Sequence, residues 1–551
     1  MKKKVLIVGG VAGGASAAAR LRRLDENTEI VMFERDGHIS FANCGLPYYI
    51  GETIQDRSKL MVQTPESMKA RFNLDVRIHS EVTGIDVHGK TVTVNSKEKG
   101  VYEESYDYLI LSPGAKPLKP PIPGIESRLI FTLRNIPDTD RIKSYVDQEG
   151  IRSAIVIGGG YIGVEMAENL RHRGLDVALV EAAPHILAPF DSEMTAFAEK
   201  ELEDNGVRLL LGDGVQSFEE KDGGLSVSLQ SGKEVHADLV ILAIGVAPDT
   251  AFLKESGIKL GTRGHIQVNE SMQTNCDGVY AVGDAVEITD YVSGQPSAIP
   301  LAGPANKQGR IAADHISGLA STYKGTQGTA IIKIFGLTGA STGSNERTLV
   351  KLGIPYRTVY VHPSSHATYY PGAKPIALKL LFNDEGNILG AQAFGAEGVD
   401  KRIDVIATVL RLRGTVDDLA ELELTYAPPF SSAKDPVNMA GYLAQNVLHG
   451  RTKVVTLKEL DSFDPERQIL LDVRTKAEYD QGHIEGALHI PVDELRTRIG
   501  ELDQGKEIYA YCAVGMRGYI ASRILKQKGF AVKNLTGGYR SYSMSQYRPK
   551  G

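Results

Sequence analysis

The apolar positions along the chain fall into short blocks. Residues 5–8 (V-L-I-V), 30–33 (I-V-M-F), 108–111 (Y-L-I-L), 154–157 (A-I-V-I), 177–180 (V-A-L-V) and 239–242 (L-V-I-L) are continuous apolar runs, as expected of parallel strands covered on both faces. Residues 15–24 and 164–173 mix apolar and charged positions at helical spacing. The order strand, glycine loop, helix, strand therefore occurs twice, predicting two Rossmann-like dinucleotide-binding domains. Beyond residue 329 the pattern changes. Strands are predicted at 331–335, 356–361, 376–382 and 388–393, then helices at 402–412 and 416–422, an α+β arrangement. A last α/β module follows, with strands at 469–474 and 508–511 and a helix at 518–528.

Length agrees with several cores: 551 residues suggest three or four domains. The boundaries read as 1–113 with 249–328 for the first dinucleotide domain, 114–248 for the second, 329–444 for the α+β domain, 445–455 for a linker and 456–551 for the last module. The stretch 441–453 has few large apolar residues and leads out of the α+β domain. A net charge of −6 spread along the chain gives no nucleic-acid footprint. Three cysteines are too few for a disulfide scaffold and suit a reducing cytoplasm. No apolar run is long enough to span a bilayer, and residues 5–8 lead into a glycine loop, as a first strand does and a signal peptide does not. No metal is expected.

The loops carry the chemistry. The first is Gly9-Gly10-Val11-Ala12-Gly13-Gly14, with Val11 where the fingerprint has its middle glycine, and Glu34 and Arg35 follow the second strand. The second loop is complete, with Gly158, Gly160 and Gly163 around Tyr161 and Ile162. Glu181 closes its second strand, where a carboxylate accepts from ribose hydroxyls and repels a 2′-phosphate, so NADH is expected over NADPH. Two such units imply two dinucleotides, most simply FAD and a nicotinamide. The run 274–284 (T-N-C-D-G-V-Y-A-V-G-D) ends in Gly283-Asp284 and reads as a strand returning to the first domain. Pro113, Gly114 and Gly245 fall where the chain crosses between domains, and Ala302 is expected as a further cofactor contact.

Ser40-Phe41-Ala42-Asn43-Cys44-Gly45-Leu46-Pro47 places a thiol just after the first dinucleotide unit, with Pro47 near the start of a helix. Helix N-termini and nearby cations lower a thiol's pKa, which makes Cys44 a candidate nucleophile. The next cysteine, Cys276, is far along the chain and has no basic neighbours, so it is read as structural. Cys44 must then pair with an external thiol or cycle as an oxidised single sulfur. Arg20 and Arg23 share a helix face and, with Lys69 and Arg71, could clamp phosphates near it. In the last module Cys512 opens the loop C-A-V-G-M-R ahead of a helix, a nest of N–H groups sized for a sulfur, with Arg517 adding positive charge.

The motifs S-F-A-N-C-G-L-P-Y, G-G-G-Y-I-G-V-E, Y-A-V-G-D, H-A-T-Y-Y-P-G and T-Y-A-P-P-F-S-S-A-K-D-P give residues 1 to about 445 a resemblance to the pyridine nucleotide–disulfide oxidoreductase superfamily. The branch is the single-cysteine one, that of coenzyme A disulfide reductase, with NADH oxidases and peroxidases as cousins. The oxidases and peroxidases carry a histidine in the first glycine loop; Ala12 stands there in this chain. The resemblance implies FAD, NAD(P)H and a homodimer, with Cys44 held as a mixed disulfide with coenzyme A. It implies coenzyme A contacts at Ser16, Arg20, Arg23, Ser40, Asn43, Arg71, Asn306 and Lys434. Tyr369 and Tyr426 would approach Cys44 from the partner subunit and protonate the leaving thiolate, while Tyr370 packs. L-D-V-R-x-x-x-E-Y, G-H-I-x-G-A-x-x-I-P and C-x-x-G-x-R make the last module similar to a single-domain rhodanese. There Cys512 would carry sulfane sulfur, Asp472 and Arg474 would support the loop, and His483 would be scaffold. The expected activity is NAD(P)H-dependent reduction of a coenzyme A persulfide, polysulfide or disulfide. The alternatives are an NADH oxidase or peroxidase cycling Cys44 through sulfenic acid, and a redox-sensing sulfur-relay protein.

Overall fold

The structure, a computed structural model, describes residues 3–551. The chain forms two compact units, one of residues up to 182 with 212–328, the other of 183–211 with 329–551. In the first unit the apolar runs become two parallel sheets. One has the strand order Val279–Ala281, Tyr108–Leu111, Lys4–Val8, Glu29–Phe33, Asp75–Arg77, and all of its strands but the edge strand Asp75–Arg77 are buried almost to the last side chain. The other places Ser153–Ile157 between Asp176–Glu181 and Leu239–Leu242, with Ile130–Phe131 beyond. The first helix runs Ala12–Leu24, three residues earlier than its apolar pattern suggested, because Gly13 and Gly14 themselves form its first turn. Helix Ala302–Ile316 packs on it so closely that a Cβ on Gly309 would lie 2.3 Å from the Gly13 carbonyl oxygen.

In the second unit a five-stranded antiparallel sheet runs in the order Ala330–Ile334, Leu337–Gly343, Ile388–Gly395, Ile376–Phe382, Arg357–Val361. Leu337–Gly343 (L-T-G-A-S-T-G) has no apolar run and was not predictable as a strand. Its small residues are what the packing demands, since a Cβ on Gly339 would lie 2.3 Å from the Phe394 ring. The expected linker also needs correction. Helix Pro436–Leu448, capped by Asp435, extends into residues 445–448, and Val454–Val455 is already a strand paired with Val532–Leu535. The small residues that suggested a linker let the helix lie buried: a Cβ on Gly441 would come within 2.6 Å of the Ala420 nitrogen. The last module is a parallel sheet in the order Val454–Val455, Val532–Leu535, Glu507–Tyr511, Gln468–Asp472, Leu488–His489.

A buried charge cluster holds the second unit together. Lys379, with no exposed surface, places Nζ 2.7 Å from Asp191 and 3.0 Å from Glu346 and also bonds Glu193. Gln392 donates to Asp191 (2.7 Å), Tyr360 Oη donates to Glu193 (2.6 Å), and Lys458 of the last module pairs with Glu346. Burial alone would lower the lysine's pKa, but Tyr360 and the three carboxylates outweigh it and hold the amine well above its usual range. The ammonium fills the position a metal would otherwise take among these acids.

Candidate functional site

The first glycine loop is built around close approaches. Gly9 has φ +94°, and a Cβ there would lie 2.0 Å from the Ser112 carbonyl oxygen; one on Gly14 would lie 1.9 Å from the Gly9 oxygen. Glu34, at the end of the second strand, is buried and accepts from the backbone N–H of Gly10 (3.0 Å) and Asp36 (3.1 Å). Burial raises its pKa, against those two hydrogen bonds. Gly9 and Glu34 line a cavity of about 760 Å³ together with Ala12, Gly13, Arg35, Pro113, Gly114, Gly283, Asp284 and Ala302, while Gly10 and Gly14 are not part of its lining. Asn43 and Cys44 lie on the same wall. A narrow, glycine-walled groove with a carboxylate at the strand end fits the flavin dinucleotide: Gly9 to Gly14 would take the pyrophosphate and Glu34 the ribose. Arg35 is tied to Asp249 at 2.6 Å.

The second loop repeats the construction. Gly158 has φ +107° with the Ala243 oxygen 2.4 Å from where its Cβ would be, and Gly160 precedes helix Tyr161–His172. Glu181 accepts from the Gly159 N–H at 2.6 Å, the counterpart of Glu34. Ile162 is exposed, and Gly245 has φ +120° at the second crossing.

Cys44 sits in a 3₁₀ turn, Asn43–Gly45, that leads into helix Leu46–Ile50 with Pro47 in its first turn. Its surroundings correct one expectation. Among the described residues no cation lowers the thiol; instead burial, then Glu165 and then Asp284, push it up. The sulfur nevertheless opens on the cavity and is exposed. Two residues not singled out in the sequence set the surroundings of Asn43 and Cys44. Arg134 donates from Nε to the Ala115 carbonyl (2.6 Å) and lies 3.9 Å from Asp284. In the amide orientation that satisfies both atoms, Asn43 donates to the Arg134 carbonyl (3.1 Å) and accepts from its Nη1 (3.2 Å). The second is Glu165 of helix Tyr161–His172, whose carboxyl is raised to about 7 by burial, against a hydrogen bond from Tyr48 and with Glu168 adding to the rise. Arg134 falls in no quoted motif, and Glu165 closes G-G-G-Y-I-G-V-E but acquires its bearing on Cys44 only through folding.

Glu165 gives a pH prediction. A carboxyl raised in the folded state favours its protonated form, so its contribution to stability is complete below 4.5, its ordinary value, and is lost as pH rises through about 7. Unfolding measured at acid and at neutral pH should show the advantage of Glu165→Gln over wild type growing across that window by about 3 kcal/mol. A constant difference would mean the carboxyl is not protonated in the fold.

The residues expected at coenzyme A are distributed between the units. Ser16 Oγ donates to Asn306 Oδ1 at 2.7 Å, so these two meet. Arg20 is committed to Asp314 at 2.6 Å, while Arg23 and Arg71 are exposed with no ion pair among the described residues. Ser40 has φ +45° and donates its N–H to the Gly10 oxygen. In the second unit Lys434 is exposed, and Tyr369 and Tyr426 meet hydroxyl to hydroxyl at 2.6 Å with both rings exposed.

In the last module Cys512 follows strand Glu507–Tyr511, is buried, and accepts from the Gly515 N–H at 3.1 Å. Gly515, at φ +106°, turns the loop into helix Met516–Gln527. Arg517 is a partial correction: near enough to act on Cys512, it is also paired with Glu478 through two bonds of 2.7 and 2.5 Å, so its charge is shared. Asp472 and Arg474 form a buried pair at 2.6 Å, with the guanidinium over the Tyr539 ring. His483 stacks on Tyr479 and bonds its carbonyl.

Two glycine-loop sheets, a thiol on the wall of the first groove and a second thiol in a strand-to-helix nest define a two-dinucleotide thiol flavoenzyme with an attached sulfur-handling module. Comparison with known proteins agrees. The family description "Pyridine nucleotide-disulphide oxidoreductase" matches residues 3–309, its dimerisation domain matches 329–436, and a rhodanese-like domain matches 456–545. The chain belongs to the pyridine nucleotide-disulphide oxidoreductase family and is a flavoprotein oxidoreductase using NAD(P)H. Coenzyme A disulfide reductase of Staphylococcus epidermidis is 39% identical over 445 residues, 80% of this chain and 100% of that protein. Among solved structures, reduced CoADR-RHD of Bacillus anthracis is 52% identical with a TM-score of 0.97, covering 99% of this chain and 98% of that one. An NAD-dependent persulfide reductase from A. fulgidus is 36% identical with a TM-score of 0.91, covering 99% and 100%. No described helix is long and apolar enough to cross a membrane.

Proposed function

We propose that the enzyme reduces the sulfur–sulfur bond of a coenzyme A persulfide, polysulfide or disulfide, and that the persulfide is preferred. The observation that carries the reading is Cys44 itself: it lines the flavin groove, and no second cysteine does so among the described residues. A lone thiol there completes its redox cycle with the sulfur of an external thiol compound. The balance is NADH + H⁺ + CoA–S–SH giving NAD⁺ + CoA–SH + H₂S; for the disulfide, two thiols leave. Bound flavin supplies the two-electron link between the nicotinamide and sulfur.

The chain's own residues do the rest. Cys44 forms the mixed disulfide with coenzyme A and releases it on reduction. Arg23 and Arg71, cations left unpaired within the described protein, take phosphates, with Ser16, Ser40, Asn43, Asn306 and Lys434 as further contacts. Tyr369 and Tyr426, hydrogen-bonded as a pair, donate the proton to the leaving thiolate across a homodimer interface, which the matched dimerisation domain favours. Glu181 accepts from NADH ribose, and the three free thiols suit the reducing cytoplasm. Cys512 carries sulfane sulfur as a persulfide, the reason for preferring the persulfide substrate. Intact-mass analysis of the purified protein tests the Cys44 step. A reductant-labile coenzyme A adduct mapping to Cys44 is expected; an adduct elsewhere, or sulfenic acid at Cys44 in its place, would contradict it.

A further inference from the structure

The rhodanese-like segment is bonded to the antiparallel sheet at a place that bears on its own cysteine. The edge strand Arg357–Val361 and the residue after it meet residues 536–541. Tyr360 donates its N–H to Thr536 Oγ1 at 2.8 Å, and His362 Nε2 bonds Ser541 Oγ at 2.7 Å. Between these two bonds lie Gly537 and Gly538, with φ +76° and +60°. A Cβ on Gly537 would come within 2.9 Å of the Tyr360 Cβ, and one on Gly538 within 2.3 Å of the Cys512 carbonyl oxygen. The turn is therefore clasped between the sheet edge on one side and the cysteine loop on the other. Its next two residues bond that loop directly: Tyr539 N–H to the Cys512 oxygen at 2.8 Å and Arg540 N–H to the Ala513 oxygen at 2.9 Å. The loop so held is the one whose Gly515 N–H points at the sulfur.

We infer that His362, with Tyr360 beside it, is a positioning residue for Cys512, setting the loop that receives sulfur through Ser541 and the Gly537-Gly538 turn; the sulfur chemistry it would serve rests on the reading of Cys512 as a persulfide carrier. His362 suits the part. Its Nδ1 is buried without a partner, so the bond to Ser541 is the ring's one anchor. Burial, and then the charge of Arg540, push its pKa down to about 3, so the ring stays neutral and the bond survives across working pH. A loop that must place N–H groups around an incoming sulfur loses rate when it shifts by a fraction of an ångström, without losing affinity for the donor. The sequence separates His362 from Cys512 by a domain boundary, which is why neither motif shows the link.

The test is sulfur transfer by the full-length holoenzyme from thiosulfate to cyanide. The Cys512 thiolate attacks the sulfane sulfur, sulfite leaves with the electron pair of the broken bond, and cyanide removes the outer sulfur as thiocyanate, returning the thiolate. In His362→Ala and in Ser541→Ala, kcat should fall about 10-fold with the thiosulfate KM within about two-fold, and NADH-dependent reduction of coenzyme A disulfide should hold its rate. His362→Gln, whose amide can donate to or accept from the Ser541 hydroxyl, should recover most of the loss. Ser541→Ala removes only a hydroxyl and decides the matter should His362→Ala fold poorly. Wild-type kcat in Ser541→Ala, or no recovery with glutamine, overturns the inference. Should wild type itself accept no sulfane sulfur, the reading of Cys512 fails. The rate of Cys512 alkylation then judges the positioning alone: a change of about three-fold or more in Ser541→Ala supports it, and no change overturns it.

Discussion

Replacing Cys44 by serine is expected to lower NADH-dependent reduction of coenzyme A persulfide and disulfide by about 10³-fold or more, while the protein still binds flavin. The hydroxyl keeps the size of the side chain and its place on the cavity wall, so the glycine loop and Glu34, which would hold the dinucleotide, are undisturbed. What is lost is the one sulfur lining that cavity among the described residues, and with it the proposed mixed disulfide. Steady-state turnover of flavin-loaded Cys44→Ser measures this. Residual activity within about 10-fold of wild type would mean sulfur is reduced without a covalent step at Cys44.

The second large effect is on stability. Lys379→Met removes the ammonium from Asp191, Glu193 and Glu346, and the carboxylates are left buried with neutral donors and, among the described residues, Lys458 as the one cation still paired with them. Breaking a buried ion pair from one side costs about 3–5 kcal/mol, because the remaining charge keeps its desolvation penalty and loses its partner. The cluster draws on residues 191–193, on the antiparallel sheet and on the first helix of the last module, so the loss should appear as early unfolding of the second unit in urea. A destabilisation below about 1 kcal/mol would show that the acids take up protons, or find other partners, without cost.

The strands of the two parallel sheets were legible because buried parallel strands are continuous apolar runs, and the glycine loops because backbone at φ near +100° admits little else. The small-residue strand Leu337–Gly343 and the helix Pro436–Leu448 were not. In both, a glycine is present because a neighbour lies too close for a side chain, Phe394 at Gly339 and Ala420 at Gly441, and that neighbour is distant in sequence. The same reason hides Arg134. Its importance comes from Asn43 and Asp284 being brought to it by folding, a link that the motifs around those two residues do not show. Motifs told which residue types surround Cys44 and Cys512 but not how their charges are spent. Arg20 is committed to Asp314, Arg517 shares its charge with Glu478, and the cations expected to ease Cys44 toward thiolate give way to Glu165 and Asp284. A thiol raised in this way is better suited to wait as a disulfide than as a free thiolate, in keeping with a resting mixed disulfide.

The central claim is that Cys44 works on sulfur–sulfur bonds delivered by coenzyme A, with the persulfide preferred. Its most direct test is anaerobic NADH oxidation by the purified enzyme, with coenzyme A persulfide, coenzyme A disulfide and sulfur-free buffer run side by side and sulfide quantified. The account predicts fastest turnover with the persulfide, one sulfide released per NADH consumed. Equal NADH oxidation in all three, or faster disulfide turnover with no sulfide from the persulfide, would contradict it.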